Sequence, residues 1–176
     1  MSNLRLINET VVTSGSSAID ITNINVDDFD IHCVTFELTP NTDNALPSIR
    51  YINSSGSVIT TTDYDEAFLE LASYGAFGEY RSTTNGEIRI AENVGNATNE
   101  SCIGKFWFFN AGNSSSYTFS LHQASSIYTN GNELGAKGIA VLHQTNKING
   151  FRIFDQNNSS GTFTGTIRTY GLRVDS

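Results

Sequence analysis

The run Gly161-Thr-Phe-Thr-Gly165-Thr-Ile-Arg-Thr-Tyr170-Gly-Leu-Arg-Val174 decides the fold. Thr, Ile, Phe, Tyr and Val with single glycines favour extended chain. Phe163, Gly165 and Ile167 share one parity and Thr162, Thr164 and Thr166 the other, so one side suits burial and the other water. Beyond Thr169 the parity changes, with Tyr170 and Leu172 on the opposite side. A β-bulge, or a strand crossing from one sheet to its partner, would account for that change. As the final extended run, it must lie beside strands from elsewhere, and is expected to close a sheet begun near the N-terminus.

Working outward, the same signals recur. Residues 4–12 form a first strand or an arm: Leu4 and Leu6 alternate, then Ile7 breaks the parity. A turn cluster at 13–17 follows, then a strand at 18–24 with Ile19 and Ile21 on one face, and an acidic turn at 25–30. Residues 31–38 read as a clear strand, Val34, Phe36 and Leu38 sharing a face with His32. Strands at 48–52 and 57–61 flank Asn53-Ser-Ser-Gly56, a hairpin loop. Residues 64–73 hold good helix formers but sit among strands, and are read as strand. Gly75, Gly78 and Gly86 mark a loop-rich middle, and Ile88 and Ile90 a short strand. In residues 102–109 Ile103, Trp107 and Phe109 share one parity and Phe106 and Phe108 the other. Both faces therefore read as buried, as in a central strand. Tyr117, Phe119 and Leu121 alternate with Thr118, Ser120 and His122 in the returning arm of a hairpin. A Gly/Asn-rich loop at 128–137 and short strands at 138–142 and 148–154 complete the set. Many short strands, with no clear helix and no long repeat, predict an all-β antiparallel sandwich. The expected organisation is one domain over 1–176, with 1–12 as a possible extended arm.

The bulk numbers agree with that reading. The chain has 176 residues, is 38% hydrophobic and only 16% charged, so it can bury a core while Asn, Ser, Thr and Gly solvate its surface. Its net charge of −8 divides unevenly, −11 over residues 1–100 and +3 over 101–176. Either two faces of a monomer are solvated differently, or the acidic part of one copy meets the basic part of another. Without a basic block, no nucleic-acid partner is expected. No apolar run reaches the ~20 residues of a membrane helix, and residues 1–6 lack a leader pattern, so synthesis in a cytoplasm and no membrane partner are expected. Cys33 and Cys102 have no paired spacing and read as buried free thiols.

Chemistry is sparse. His32, His122 and His143 are scattered, and the first two sit inside strand patterns as structural residues. No nucleophile elbow or phosphate loop occurs. Asp27, Asp28 and Asp30, with Asp63, Asp65 and Glu66, are the one candidate calcium set, though their spacing fits no EF-hand and a solvated acidic turn is the simpler reading. Tyr51, Tyr64, Tyr74, Tyr80 and Tyr128 lie in or beside loops, where some could stack on sugar rings and most would serve core or rim. Catalytic, metal and cofactor sites are expected to be absent.

Three stretches together are similar to a group of small virion proteins of tailed phages, many from marine and cyanobacterial hosts. They are Ile19-Asp-Ile-Thr-Asn-Ile24 with Asp27-Asp-Phe-Asp-Ile-His32; Pro47-Ser-Ile-Arg-Tyr51 with Ser54-Ser-Gly56 and Tyr64; and Gly161-Thr-Phe-Thr-Gly-Thr-Ile-Arg-Thr-Tyr-Gly-Leu172. The likeness spans residues 18–172 and departs at 131–147. It implies an antiparallel jelly-roll sandwich on the outside of a virion, with no shared catalytic residues; a homo-oligomer with other virion proteins as partners is expected beside it. The leading expectation is a head decoration or cement protein bound to the major capsid protein. The second is a tail-fibre or tail-tip module recognising a host surface glycan; the third is a polysaccharide depolymerase, which would need two carboxylates facing across a groove.

Overall fold

Every long alternating run becomes a strand, and all pairing is antiparallel. The computed structural model describes residues 4–172; residues 1–3 of the possible arm, and Val174 at the end of the opening run, lie outside the described residues. Twelve strands are present among them: β1 (Leu4–Ser16), β2 (Ala18–Thr22), β3 (Ile31–Pro40), β4 (Pro47–Asn53), β5 (Tyr64–Ala72), β6 (Gly78–Asn85), β7 (Ile88–Arg89), β8 (Cys102–Phe109), β9 (Thr118–Ile127), β10 (Glu133–Leu142), β11 (Ile148–Asp155) and β12 (Phe163–Leu172). An eight-stranded sheet has the order β1-β12-β3-β8-β9-β10-β5-β6, and a four-stranded sheet the order β2-β11-β4-β7. From β1 to β5 the chain changes sheet at every connection, and it does so again around β7 and β11. The result is an antiparallel β-sandwich of jelly-roll type.

The closing strand lies where expected, between β1 and β3. The bulge or crossover expected within it is not there. β12 pairs β3 without interruption from Phe163↔Pro40 to Leu172↔Ile31. Its inward face runs on through Ile167, Thr169 and Gly171, while Tyr170 and Leu172 point the other way. Gly171 belongs to that face because the Phe29 ring lies on it; a Cβ there would come 2.3 Å from the ring. The irregularity sits in the partner instead. Ile7 is an extra residue between Leu6↔Tyr170 and Asn8↔Thr169, which explains why parity broke at Ile7. Residues 4–16 are thus an edge strand on β12 rather than a free arm, and the expected turn at 13–17 is mostly strand.

The core lies between the sheets. Ile19, Ile21, Ile49, Phe151 and Ile153 from the small sheet meet Val34, Phe36, Leu38, Phe106, Phe108 and Ile167 from the large one. Its centre is aromatic: Phe106, Phe108, Phe151 and Tyr51 have centroids 5.1–6.1 Å apart, and His32 stacks on Phe108 at 4.7 Å. Tyr64 locks the adjoining loop, accepting a hydrogen bond from the Tyr51 amide and donating one to the Ile59 carbonyl.

Three local expectations are corrected. Residues 57–61 make no full strand, only a bridge between Ile52 and Val58. The glycine-marked middle contains β6, paired along β5. The 128–137 loop shrinks, because β10 already starts at Glu133. The loops draw on the asparagine-rich composition: among the described residues all six non-glycine positive-φ positions are Asn, at 23, 25, 44, 93, 99 and 110.

Candidate functional site: the outer face of the large sheet

The strand expected to be buried on both faces is buried on one. In β8, Cys102, Phe106 and Phe108 point into the core, whereas Ile103 is 56% exposed and Trp107 and Phe109 are half-buried. In β9 the usual alternation is reversed: Thr118, Ser120, His122 and Ser126 are buried, while Phe119 and Leu121, like Tyr117 just before the strand, are exposed. The small inward residues leave room for the neighbouring aromatics. Ser120 Oγ donates to the Ala140 carbonyl at 3.3 Å, and Ser126 Oγ lies 3.1 Å from the Glu92 and Leu134 carbonyls.

Register gathers the outward residues into rows across the strands, since directly opposed residues share a face. One row is Trp107–Leu121–Ile139–Ala67–Arg81; beside it runs Lys105–Gln123–Lys137–Leu69–Glu79. On the other side of the first row lies Phe109–Phe119–Val141–Asp65. The rows line two adjoining hollows of about 590 Å³ and 910 Å³ that share Ala67, Arg81, Leu121 and Ile139. Leu69, Ile139 and Leu121 remain 53%, 58% and 47% exposed. Contiguous apolar side chains of this kind mark a binding surface.

The outer face of the small sheet is different. Arg152 makes a two-pronged bond to Asp20 at 2.6 and 2.7 Å, and Arg50 pairs with Glu87 at 2.7 Å while lying over the Phe154 ring. Its charges are matched within the chain.

No family model matches the chain, and no curated protein matches it. Among solved structures it is similar to the Caenorhabditis elegans galectin LEC-6, at 11% identity over 92% of this chain and 95% of that one, with a TM-score of 0.38. It is also similar to lactose- and MES-liganded congerin II, at 13% identity, 88% and 92% coverage and a TM-score of 0.23. The third likeness is to an alginate lyase from Alteromonas sp. 272, at 8% identity, 94% and 92% coverage and a TM-score of 0.26. At these scores they bear on neither the site nor its ligand.

The residues singled out from sequence are mostly elsewhere. Asp27 pairs with Lys147, Asp63 accepts from Gln144, and Asp65 lies 3.3 Å from His143. Glu66, on the opposite face of β5 from Asp65, accepts from the Arg89 amide and from Asn85, both at 2.7 Å. Among the described residues no three such groups are placed to hold a metal. Asp65 and Glu66 both border the larger hollow but point to opposite sides of their strand, so they do not face each other across it. Tyr51 and Tyr64 are core residues. Tyr80 is half-buried, stacked on Phe68 with the Arg89 guanidinium 4.1 Å over its ring. Tyr74 and Tyr128 stack at 5.7 Å and 7° on neighbouring loops. Both cysteines are free and buried. What sequence reasoning missed is the apolar outer face with Lys105, Lys137 and Arg81. The signal was present: apolar residues on both parities of β8, next to a strand with small hydroxyls on one side.

His32 is a core residue satisfied at one nitrogen, its Nε2 2.7 Å from the Ile24 carbonyl, while Nδ1 is buried without a hydrogen bond. His122 is not satisfied: neither ring nitrogen has a partner, and Gly138 opposite it must lack a side chain, because a Cβ would sit 2.5 Å from the ring. Burial pushes its pKa down to about 4. The unfolded chain therefore takes up the proton first, so the stability His122 allows is full above the ordinary histidine pKa and lost as pH falls from about 6.5 towards 4. His122→Leu should gain melting temperature relative to wild type increasingly below pH 6.5; a difference constant from pH 8 to 4.5 would refute this. Glu66 acts oppositely. Burial raises it to about 7, so its contribution is lost as pH rises from about 4.5 through 7.

Proposed function

We propose that this chain is a non-enzymatic structural protein of a tailed-phage particle, a decoration or cement subunit docking on the head through the outer face of its eight-stranded sheet. The observation that carries the docking reading is the reversed alternation of β9, which places hydroxyls inside and Phe119 and Leu121 outside. A face meant for water would have the opposite pattern. The resemblance to phage virion proteins supplies the particle. Its partners are then the major capsid protein and further copies of itself, and its place is the virion, after synthesis in the host cytoplasm. Each copy contributes a modest apolar contact, and many copies on one lattice reinforce one another.

Purified protein should bind mature heads lacking it and raise their melting temperature. The double substitution L121E/I139E, at two exposed positions, should abolish co-sedimentation with heads while leaving the protein's own melting temperature nearly unchanged. Heads equally stable with and without the protein would end the cement reading.

The glycan-binding alternative on a tail fibre or tail tip is favoured by a separate feature. The Tyr74–Tyr128 stack on loops, with Phe77 73% exposed nearby in the chain, offers flat aromatic faces for sugar rings. Glycan-array binding lost in Tyr74→Ala, with labelling on tails, would replace the head reading with this one.

A further inference from the structure

We infer that the occupant of this face is an acidic protein surface, carboxylates set around apolar side chains, and that Arg81, Lys105 and Lys137 select it. The inference rests on the docking reading and adds the chemistry of the partner.

Three observations carry it. The first is the state of the cations. Arg50, Arg89, Lys147, Arg152 and Arg168 each pair with a carboxylate of the chain. Among the described residues Arg5, Arg81, Lys105 and Lys137 do not, and the last three share one hollow. In a chain with 18 acids and 10 bases, unpaired bases gathered on one face are the opposite of what the composition favours. The second is the floor. Trp107, Leu121, Ile139, Ala67 and Leu69 run between the cations, and among the described residues Glu79 is the one carboxylate bordering that hollow. The lysine stems can lie on this floor with their ammonium groups at its rim, where a docked partner would strip water from them and strengthen their pull on its carboxylates.

The third is spacing. Lys105 on β8 and Lys137 on β10 flank Gln123 on β9, so they stand two strand spacings apart, about 10 Å. Arg81 on β6 lies two strands beyond Lys137, one row over. The partner must therefore present carboxylates at intervals of about 10 Å beside an apolar ridge. A second copy docked face to face is disfavoured, since the rows named above would bring three cations of each copy to one apolar contact against two carboxylates, Glu79 and Asp65, the latter already beside His143.

Trp107 is the only tryptophan of the chain and lies on the floor, so its emission reports occupancy. The test titrates the protein with synthetic peptides alternating Glu/Leu, Lys/Leu and Glu/Ser, and with an oligouronate. The Glu/Leu peptide should shift Trp107 emission to shorter wavelength and saturate. Its affinity should fall about tenfold in the triple variant R81Q/K105Q/K137Q, and similarly as salt rises from about 0.05 M to about 0.5 M. The inference is overturned if the Lys/Leu peptide binds wild type as well, if no peptide binds, or if the oligouronate binds and the Glu/Leu peptide does not. It is also overturned if sedimentation shows the protein self-associating through these cations. Should the triple variant fail to fold, the comparison of Glu/Leu with Lys/Leu on wild type still decides. Heads that accept wild type and a folded triple variant equally would sink this inference alone; heads that reject a protein still binding the Glu/Leu peptide would sink the cement reading alone.

Discussion

Phe108→Ala should cost about 3–5 kcal/mol of stability and lower the melting temperature by roughly 10 °C. Phe108 is fully buried on the inner face of β8. Its ring is stacked on His32 at 4.7 Å with 6° between planes, and lies 5.9–6.1 Å from Phe106, Tyr51 and Phe151. Those neighbours come from both sheets, so the void left by alanine cannot close by moving one strand alone. His32 would suffer twice, losing its stacking partner while its Nδ1 is already buried without a hydrogen bond. Phe108→Leu keeps much of the volume and should lose less than half as much. Urea unfolding of both variants decides the matter, and a loss below about 1 kcal/mol for alanine would mean that the sheets do not meet here.

This strand also shows where sequence reasoning stops. The apolar run of Cys, Ile, Phe and Trp in residues 102–109 points to a central strand, and β8 lies between β3 and β9 inside the large sheet. Which side faces the core was not legible, since both parities are apolar. The structure resolves it through small residues on the inward side of β8 and β9: Gly104 in β8, with Ala124 opposite it and Ser120 in β9, makes room for rings, and a Cβ on Gly104 would come 2.5 Å from Phe36. Parity in β12 misled for a different reason. Tyr170 and Leu172 resemble core residues, but they face outward, and the inward slot at 171 is a glycine because Phe29 fills that space. Hydrophobicity read one strand at a time cannot see a side chain supplied by another segment. The candidate site was missed on the same account. Lys105, Lys137 and Arg81 come from three strands, and only the order β8-β9-β10-β5-β6 makes them neighbours. The acidic residues, close in sequence, drew attention instead, and the fold sends Asp65 and Glu66 to opposite faces of one strand.

Gly165→Ala should be at least as damaging as many core truncations, with a loss above about 3 kcal/mol or no folded protein at all. Gly165 lies within β12, paired with Leu38 on one side and Val12 on the other, and has φ +144°. Residues with a side chain pay about 1–3 kcal/mol to hold such a conformation. The added methyl also has nowhere to go: it would sit 1.9 Å from the Glu37 carbonyl oxygen and 2.9 Å from its carbon. These are backbone atoms of β3, so no rotamer change relieves the contact, and separating the strands breaks the pairing that closes the large sheet. Positive φ alone does not predict this outcome. Gly56 and Gly131 have φ +82° and +80°, but nothing lies within 4 Å of a Cβ at either. Asn tolerates that region and already occupies it at six places in this chain, so Gly56→Asn and Gly131→Asn should each stay within about 1 kcal/mol of wild type. Thermal melts of the three variants separate strain from collision. If Gly165→Ala melts within about 2 °C of wild type, β12 and β3 do not pair in the register Gly165↔Leu38, and the row that carries Ile167 into the core must be redrawn.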